Sequence, residues 1–227
     1  MKNKILIVAS HPDDEILGCG GTVARMVKEG AEVHILILGE GVTSRYNIKL
    51  TEPYPNQELE NLKVCSKKAG FIIGILSLEF TSFPDNRFDS IALLEIVKVI
   101  ERRIEEIKPS IIFTHFKDDL NIDHRITYQA VITATRPMPG NTVKEIYSFE
   151  IPSSTEWAFP TSFSPDVFWD IDSTLDQKIK ALDCYRDELR PYPHPRSVEG
   201  IEYLAGYRGM QCGCEYAEAF KTVRVIR

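Results

Sequence analysis

Short β-rich apolar runs alternate with helix-length segments through the first two thirds of this 227-residue chain, and that alternation admits few folds. Residues 5–9, Ile-Leu-Ile-Val-Ala, read as a buried strand, and a helix over 16–29 follows, closed by Gly30. A second strand spans 33–38 and breaks at Gly39-Glu40-Gly41. A helix over 56–69 ends at Gly70, and 76–81 makes a third strand. Residues 90–107 place Ile91, Leu94, Ile96, Val97, Ile100 and Ile104 near helical spacing, with Pro109 as the stop. A fourth strand covers 111–115, and a helix over 124–135 ends before Arg136-Pro137. Such repetition predicts an α/β fold, with a mostly parallel sheet covered by helices on both faces.

The last third reads differently. Residues 146–151 and 167–171 look like strands, and 173–189 like a helix opened by Ser173 as its N-cap. The proline-studded stretch 190–197 cannot be helical, and 200–210 is helical again. The expectation is one domain over 1–227, a core over 1–140 followed by a C-terminal cap and return strands over 141–227.

Bulk properties exclude several classes of function. The formal charge is −6 and the charges are mixed along the chain, so no basic stripe points to nucleic acid. No stretch approaches the roughly 20 apolar residues of a membrane span, and nothing near Met1 reads as a signal peptide. The five cysteines are scattered and odd in number, which suits reduced thiols in a cytoplasmic protein. Cys212-Gly213-Cys214 reads as two ordinary thiols in a loop in preference to a metal or redox pair.

The chemistry gathers where strands end. His11-Pro12-Asp13-Asp14-Glu15 follows the first strand directly, and open α/β sheets bind their ligands at the carboxyl ends of strands. Asp118-Asp119-Leu120-Asn121-Ile122-Asp123-His124 follows the fourth strand. Strands one and four can be neighbours on one rim, so His11 and His124 can meet across more than a hundred residues. Two imidazoles and a carboxylate form a ligand set for catalytic zinc with a position left for water, and a spare carboxylate can take that water's proton. An acidic cluster at a helix start also serves as a capping and dipole device, but the second cluster at another strand end favours a metal. His34, inside a strand, and His115, at a strand end, read as structural or supporting residues.

Val8-Ala9-Ser10-His11-Pro12-Asp13-Asp14-Glu15, with Gly18-Cys19-Gly20-Gly21-Thr22 behind it, resembles the opening signature of the LmbE-like, or PIG-L-like, zinc-dependent N-deacetylases. Asp119-Leu120-Asn121-Ile122-Asp123-His124-Arg125 resembles the family's second motif. The resemblance is strong over residues 4–136 and looser through 193–197 and 217–220. It implies a Rossmann-like three-layer sandwich and a zinc ion on His11, Asp14 and His124. It also implies Asp13 as the general base. Glu15 then either orients a ligand or caps the helix. Many family members carry His-x-Asp-His where this chain has Asn121, so Asp123 lacks its usual imidazole partner. Asn121 can donate to an oxyanion but cannot act as a general acid. His194, between Pro193 and Pro195, is the candidate to supply an imidazole from elsewhere; a solvated loop histidine is the alternative.

The resemblance further places Arg45 and Asp85 against sugar hydroxyls or an attached phosphate, and Arg196 suits an anionic part of a substrate. Trp157 either stacks on a sugar ring or is buried in the cap. Gly18-x-Gly20-Gly21 lacks the dinucleotide spacing and fits close helix–sheet packing instead. The expected activity is zinc-dependent N-deacetylation of an N-acetylglucosamine-type sugar or its conjugate, a small-molecule substrate. Two rivals are an amidase acting on a sugar–thiol conjugate and a sugar- or nucleotide-binding protein without turnover. Relatives that form rings imply a homo-oligomer.

Overall fold

The computed structural model describes residues 3–46 and 56–227. Seven strands form one sheet in the order β3-β2-β1-β4-β5-β7-β6: β1 (Lys4–Ala9), β2 (Glu32–Gly39), β3 (Ser77–Phe83), β4 (Ile111–His115), β5 (Glu145–Phe149), β6 (Val167–Asp170) and β7 (Ala217–Val225). The neighbours from β3 through β5 pair in parallel, and β7 runs antiparallel to both β5 and β6. The helices are α1 (Asp14–Lys28), α2 (Asn56–Ile73), α3 (Leu93–Ile107), α4 (Ile122–Ala134), α5 (Leu175–Leu182) and α6 (Val198–Cys212). The expected α/β architecture is therefore present.

β1 shows why the sheet is covered on both sides. Ile5, Ile7 and Ala9 enter one apolar core with residues of α1, α2 and α5, while Leu6 and Val8 enter another with residues of α3 and α4. A strand's period of two sends successive side chains to opposite faces, so a run apolar at every position must lie between two layers. The chain leaves β1 for β2 on one side, while β4 docks on its other side. That reversal opens a crevice at the carboxyl ends of β1 and β4, the usual ligand position in such sheets.

Three local expectations need correction. The helix expected over 173–189 ends at Leu182 and gives way to a 3-10 turn, Asp183–Tyr185. Thr174, not Ser173, precedes it, and the Thr174 hydroxyl donates to the Gly21 carbonyl at 2.9 Å. Gly70 does not end α2, which runs on to Ile73 before Gly74 turns at φ +84°. A side chain at Gly70 would lie 2.5 Å from Ile75, so close approach explains that glycine. The glycines of α1 fulfil their expected packing role: a Cβ on Gly18 would lie 2.4 Å from the Phe149 ring of β5.

Candidate metal and catalytic site

The turn after β1 is strained where the candidate base sits. Asp13 has φ 104°, uncommon for a residue with a side chain, and it stands immediately before the first turn of α1. Its backbone N–H donates to Glu15 Oε2 at 3.0 Å, and the Tyr185 hydroxyl donates to the other Glu15 oxygen. Glu15 thus ties the turn to a residue beyond α5. Its contacts brace the site turn, a role different from the two expected of it, orienting a ligand and capping the helix.

Asp14 lies at the centre, fully buried. Its Oδ2 accepts from the His11 backbone N–H at 2.8 Å and stands 3.4 Å from His11 Nδ1, 3.4 Å from His124 Nε2 and 3.5 Å from His115 Nε2. Asp14 Oδ1 and His124 Nε2 are buried without any hydrogen-bond partner. Buried polar atoms are nearly always paired, and what distinguishes these two among the unpartnered atoms is that they converge with His11. His11, Asp14 and His124 bring one ligand atom each within 4.8 Å of one another, and a divalent metal fits that donor set.

Each imidazole is aimed by a carboxylate behind it. His11 Nε2 lies 2.9 Å from Asp123 Oδ2 and 3.1 Å from Asp85 Oδ1, which favours the tautomer with Nδ1 free toward Asp14. Asp123 is anchored in turn by the N–H groups of Asn86, at 2.6 Å, and Phe88, at 2.9 Å. His124 Nδ1 lies 3.0 Å from Asp119 Oδ1, leaving Nε2 for a metal. Asp119 also accepts from the hydroxyls of Ser154 and Thr155. His115 stacks on His124 with centroids 3.9 Å apart, and its Nε2 accepts from the Ser10 N–H at 2.9 Å.

Electrostatics follow from this burial. Burial favours neutral His124, yet Asp14 and Asp119 overcome it and raise its pKa to about 9. Burial likewise opposes charge on His11, but Asp123, Asp14 and Asp85 raise its pKa well above the usual value. Burial favours the protonated form of Asp14, but the His124 and His115 imidazoles hold it well below the carboxylate range. Burial drives the Asp13 carboxyl up to about 7 against the pull of Arg196. His115 is pushed well down, first by burial and then by His124, so it stays neutral.

The remaining sequence candidates divide. Asp85 reaches the cluster through His11, and its Oδ2 accepts from Ser44 Oγ at 2.5 Å. Arg196 donates from a terminal nitrogen to Asp13 Oδ2 at 2.9 Å and from Nε to Ser153 Oγ at 2.9 Å. Arg45 pairs with both oxygens of Glu188, at 2.6 and 2.7 Å. Asn121 is the N-cap of α4, its Oδ1 accepting from the Asp123 N–H at 2.8 Å. His194 accepts the Arg196 backbone N–H at 3.1 Å and packs edge-on against Trp157, centroids 5.6 Å apart. Trp157 is not buried in the cap but lies exposed.

Sequence reasoning assigned no role to Asp119, Tyr185, Glu188, Ser154 or Thr155. Asp119 was visible inside the second cluster, five residues before His124, and an Asp so placed before a metal histidine is a usable signal. Nothing local marks the other four, which arrive from distant segments.

Comparison with known proteins adds an independent line. A model of the PIG-L family, described as GlcNAc-PI de-N-acetylase, matches residues 6–135. A probable N-acetyl-α-D-glucosaminyl L-malate deacetylase 2 of Bacillus cereus is 28% identical over 193 residues, 83% of this chain and 84% of that protein. A 4-oxalmesaconate hydratase of Pseudomonas putida is 27% identical over 199 residues, 79% of this chain and 71% of that protein. In fold, the chain is similar to N,N'-diacetylchitobiose deacetylase from Pyrococcus horikoshii, with TM-score 0.77 and 18% identity over 98% of this chain and 84% of that one. The family match spans more than half of the chain and takes in both strand-end motifs, and on that ground this protein belongs to the PIG-L deacetylase family and is a hydrolase.

Proposed function

We propose that this protein removes the N-acetyl group from an N-acetylglucosamine-type sugar or its conjugate, with zinc held by His11, Asp14 and His124. The observation that carries the metal reading is the pair of buried, unpartnered atoms, Asp14 Oδ1 and His124 Nε2, converging with His11. The malate-conjugate deacetylase and the diacetylchitobiose deacetylase named above support the substrate class. Zinc bound there would acidify a water and polarise the acetamide carbonyl.

The protein's own residues do the rest. Asp123 and Asp119 hold the two imidazoles in ligating tautomers. Asp13 takes a proton from the attacking water and returns it to the leaving nitrogen, giving acetate and a free amine. Arg196 fixes the Asp13 carboxyl in place and sets its charge. Asn121 holds the first turn of α4, and with it Asp123 and His124, through its cap. His194 holds the loop that presents Arg196.

The test is acetate release from a panel of N-acetylglucosamine glycosides by zinc-loaded wild type and Asp13→Asn. Release by wild type, lost in the variant at equal zinc content, supports both the activity and the base. No release from any glycoside, with zinc bound, overturns the substrate class. Release that survives in the variant moves the base elsewhere.

A further inference from the structure

Both arginines that the sequence places near the substrate are occupied by acids of the protein itself. Arg45 gives one terminal nitrogen to both oxygens of Glu188, and Arg196 gives one to Asp13. Their partners are well covered: the Glu188 side chain is 10% exposed and the Asp13 side chain 6%. Turning either guanidinium toward a substrate anion would strip a nearly buried carboxylate of its counter-ion, which is costly. Around the metal triad, the carboxylates of Asp14, Asp85, Asp119, Asp123 and Glu188 outnumber the charges of Arg45, Arg196 and a bound divalent cation together. The field at the mouth therefore repels anions, and a low-dielectric cleft concentrates that repulsion.

We propose that Glu188, by neutralising Arg45 beside the site, makes this enzyme select uncharged N-acetyl-sugar conjugates over anionic ones. The inference rests on the deacetylase reading above and names its substrate class. It also sets this chain apart from a relative whose name specifies a malate conjugate. Glu188 is here a specificity-determining residue that acts through Arg45 and not on the reacting atoms.

The experiment compares the N-acetylglucosaminides of glycerol, which is uncharged, and of malate, which carries two carboxylates. The expected result for wild type is a kcat/KM for the glycerol conjugate at least about tenfold above that for the malate conjugate, the gap narrowing as salt rises. Glu188→Gln frees Arg45 and raises kcat/KM for the malate conjugate several-fold, through KM. Glu188→Asp, which keeps the charge, restores the wild-type preference. The double variant Arg45→Gln/Glu188→Gln removes the pair without changing the net charge, so it leaves the ratio of the two conjugates unchanged, and it keeps the proposal testable if Glu188→Gln alone does not fold. A wild type that favours the malate conjugate, a ratio unmoved by Glu188→Gln, or a selective loss of the malate conjugate in the double variant overturns the proposal. Calorimetric binding of both intact glycosides to the zinc enzyme separates this from failure of the activity. If neither releases acetate yet the glycerol conjugate binds more tightly, the deacetylase reading falls and the selectivity stands. If neither binds, the selectivity falls too.

Discussion

Two buried charged clusters flank α1, and they are built on opposite plans. Around Asp14 the network is open: one carboxylate oxygen, Asp14 Oδ1, and two imidazole nitrogens, His124 Nε2 and His115 Nδ1, have no partner. Around Lys178 and Glu218 it is closed at the charged atoms, which are all paired, although the Thr22 hydroxyl beside them has no partner. Lys178 Nζ donates to Glu218 Oε1 at 2.6 Å and to the Leu17 carbonyl at 2.8 Å, while Glu218 accepts the Gly21 and Thr22 N–H groups at 3.0 and 2.7 Å. Those two N–H groups are available because α1 kinks at Cys19, whose φ of −149° interrupts the helical ladder. Glu218 thus caps the second half of a broken helix. A closed buried network fixes structure, whereas an open one waits for a ligand, and the contrast separates scaffold from site more sharply than burial does.

The contrast can be broken from either side. The largest effect expected is on catalysis at the open cluster: Asp13→Asn lowers acetate release by about 10²–10⁴-fold with zinc content unchanged, as removal of a general base does. Rates within tenfold of wild type would remove Asp13 from the chemistry. At the closed cluster the effect is on stability. Lys178→Met leaves Glu218 buried and unpaired, at a cost of about 3–5 kcal/mol, read as a lower midpoint in urea unfolding of the metal-free protein. An unchanged midpoint would show that this network is not structural.

A third measurement uses protons to sharpen the difference. His124 without metal has a pKa raised to about 9, and that of His11 is also raised, while Asp14 is held ionised. A metal needs neutral imidazoles, so loading at pH 7 must displace protons. Zinc affinity therefore rises with pH through the neutral range and up to at least about 9, checked by competition with a chelator of known affinity. Affinity flat between pH 6 and 8 would contradict the protonated resting state. The smallest effect is at the brace of the Asp13 turn. Tyr185→Phe removes the donor to Glu15 and costs about 1–2 kcal/mol in thermal unfolding, with kcat lowered more than KM is changed. A loss in KM alone would make Tyr185 a substrate contact instead.

How far the chain could be read depended on whether a signal was local. Residues 5–9 and 111–115 were visible as strands because each carries its own apolar pattern, and both occur where expected. β7 was harder: within Ala217–Val225 it mixes Glu218, Lys221, Thr222 and Arg224 with apolar residues, and its buried Glu218 serves α1. The helix expected over 173–189 was too long because its periodicity could not show that the chain must turn at Asp183. That turn carries Tyr185 against Glu15, and just beyond it Glu188 lies against Arg45.

The sequence by itself determined the alternating α/β plan, the rim on which the chemistry lies and the residue types that can hold a metal there. Strand period and the placement of His11, Asp14 and His124 just past strand ends are properties of short segments, so they survive without knowledge of the rest. Only the tertiary structure decided what stands behind each of those groups. It put Asp123 on His11, Asp119 on His124, Arg196 on Asp13 and Glu188 on Arg45. These pairings join residues up to 183 positions apart. Which charges neutralise one another across such distances is set by sheet order and packing, because Coulomb and hydrogen-bond terms act only between groups the fold has already brought together.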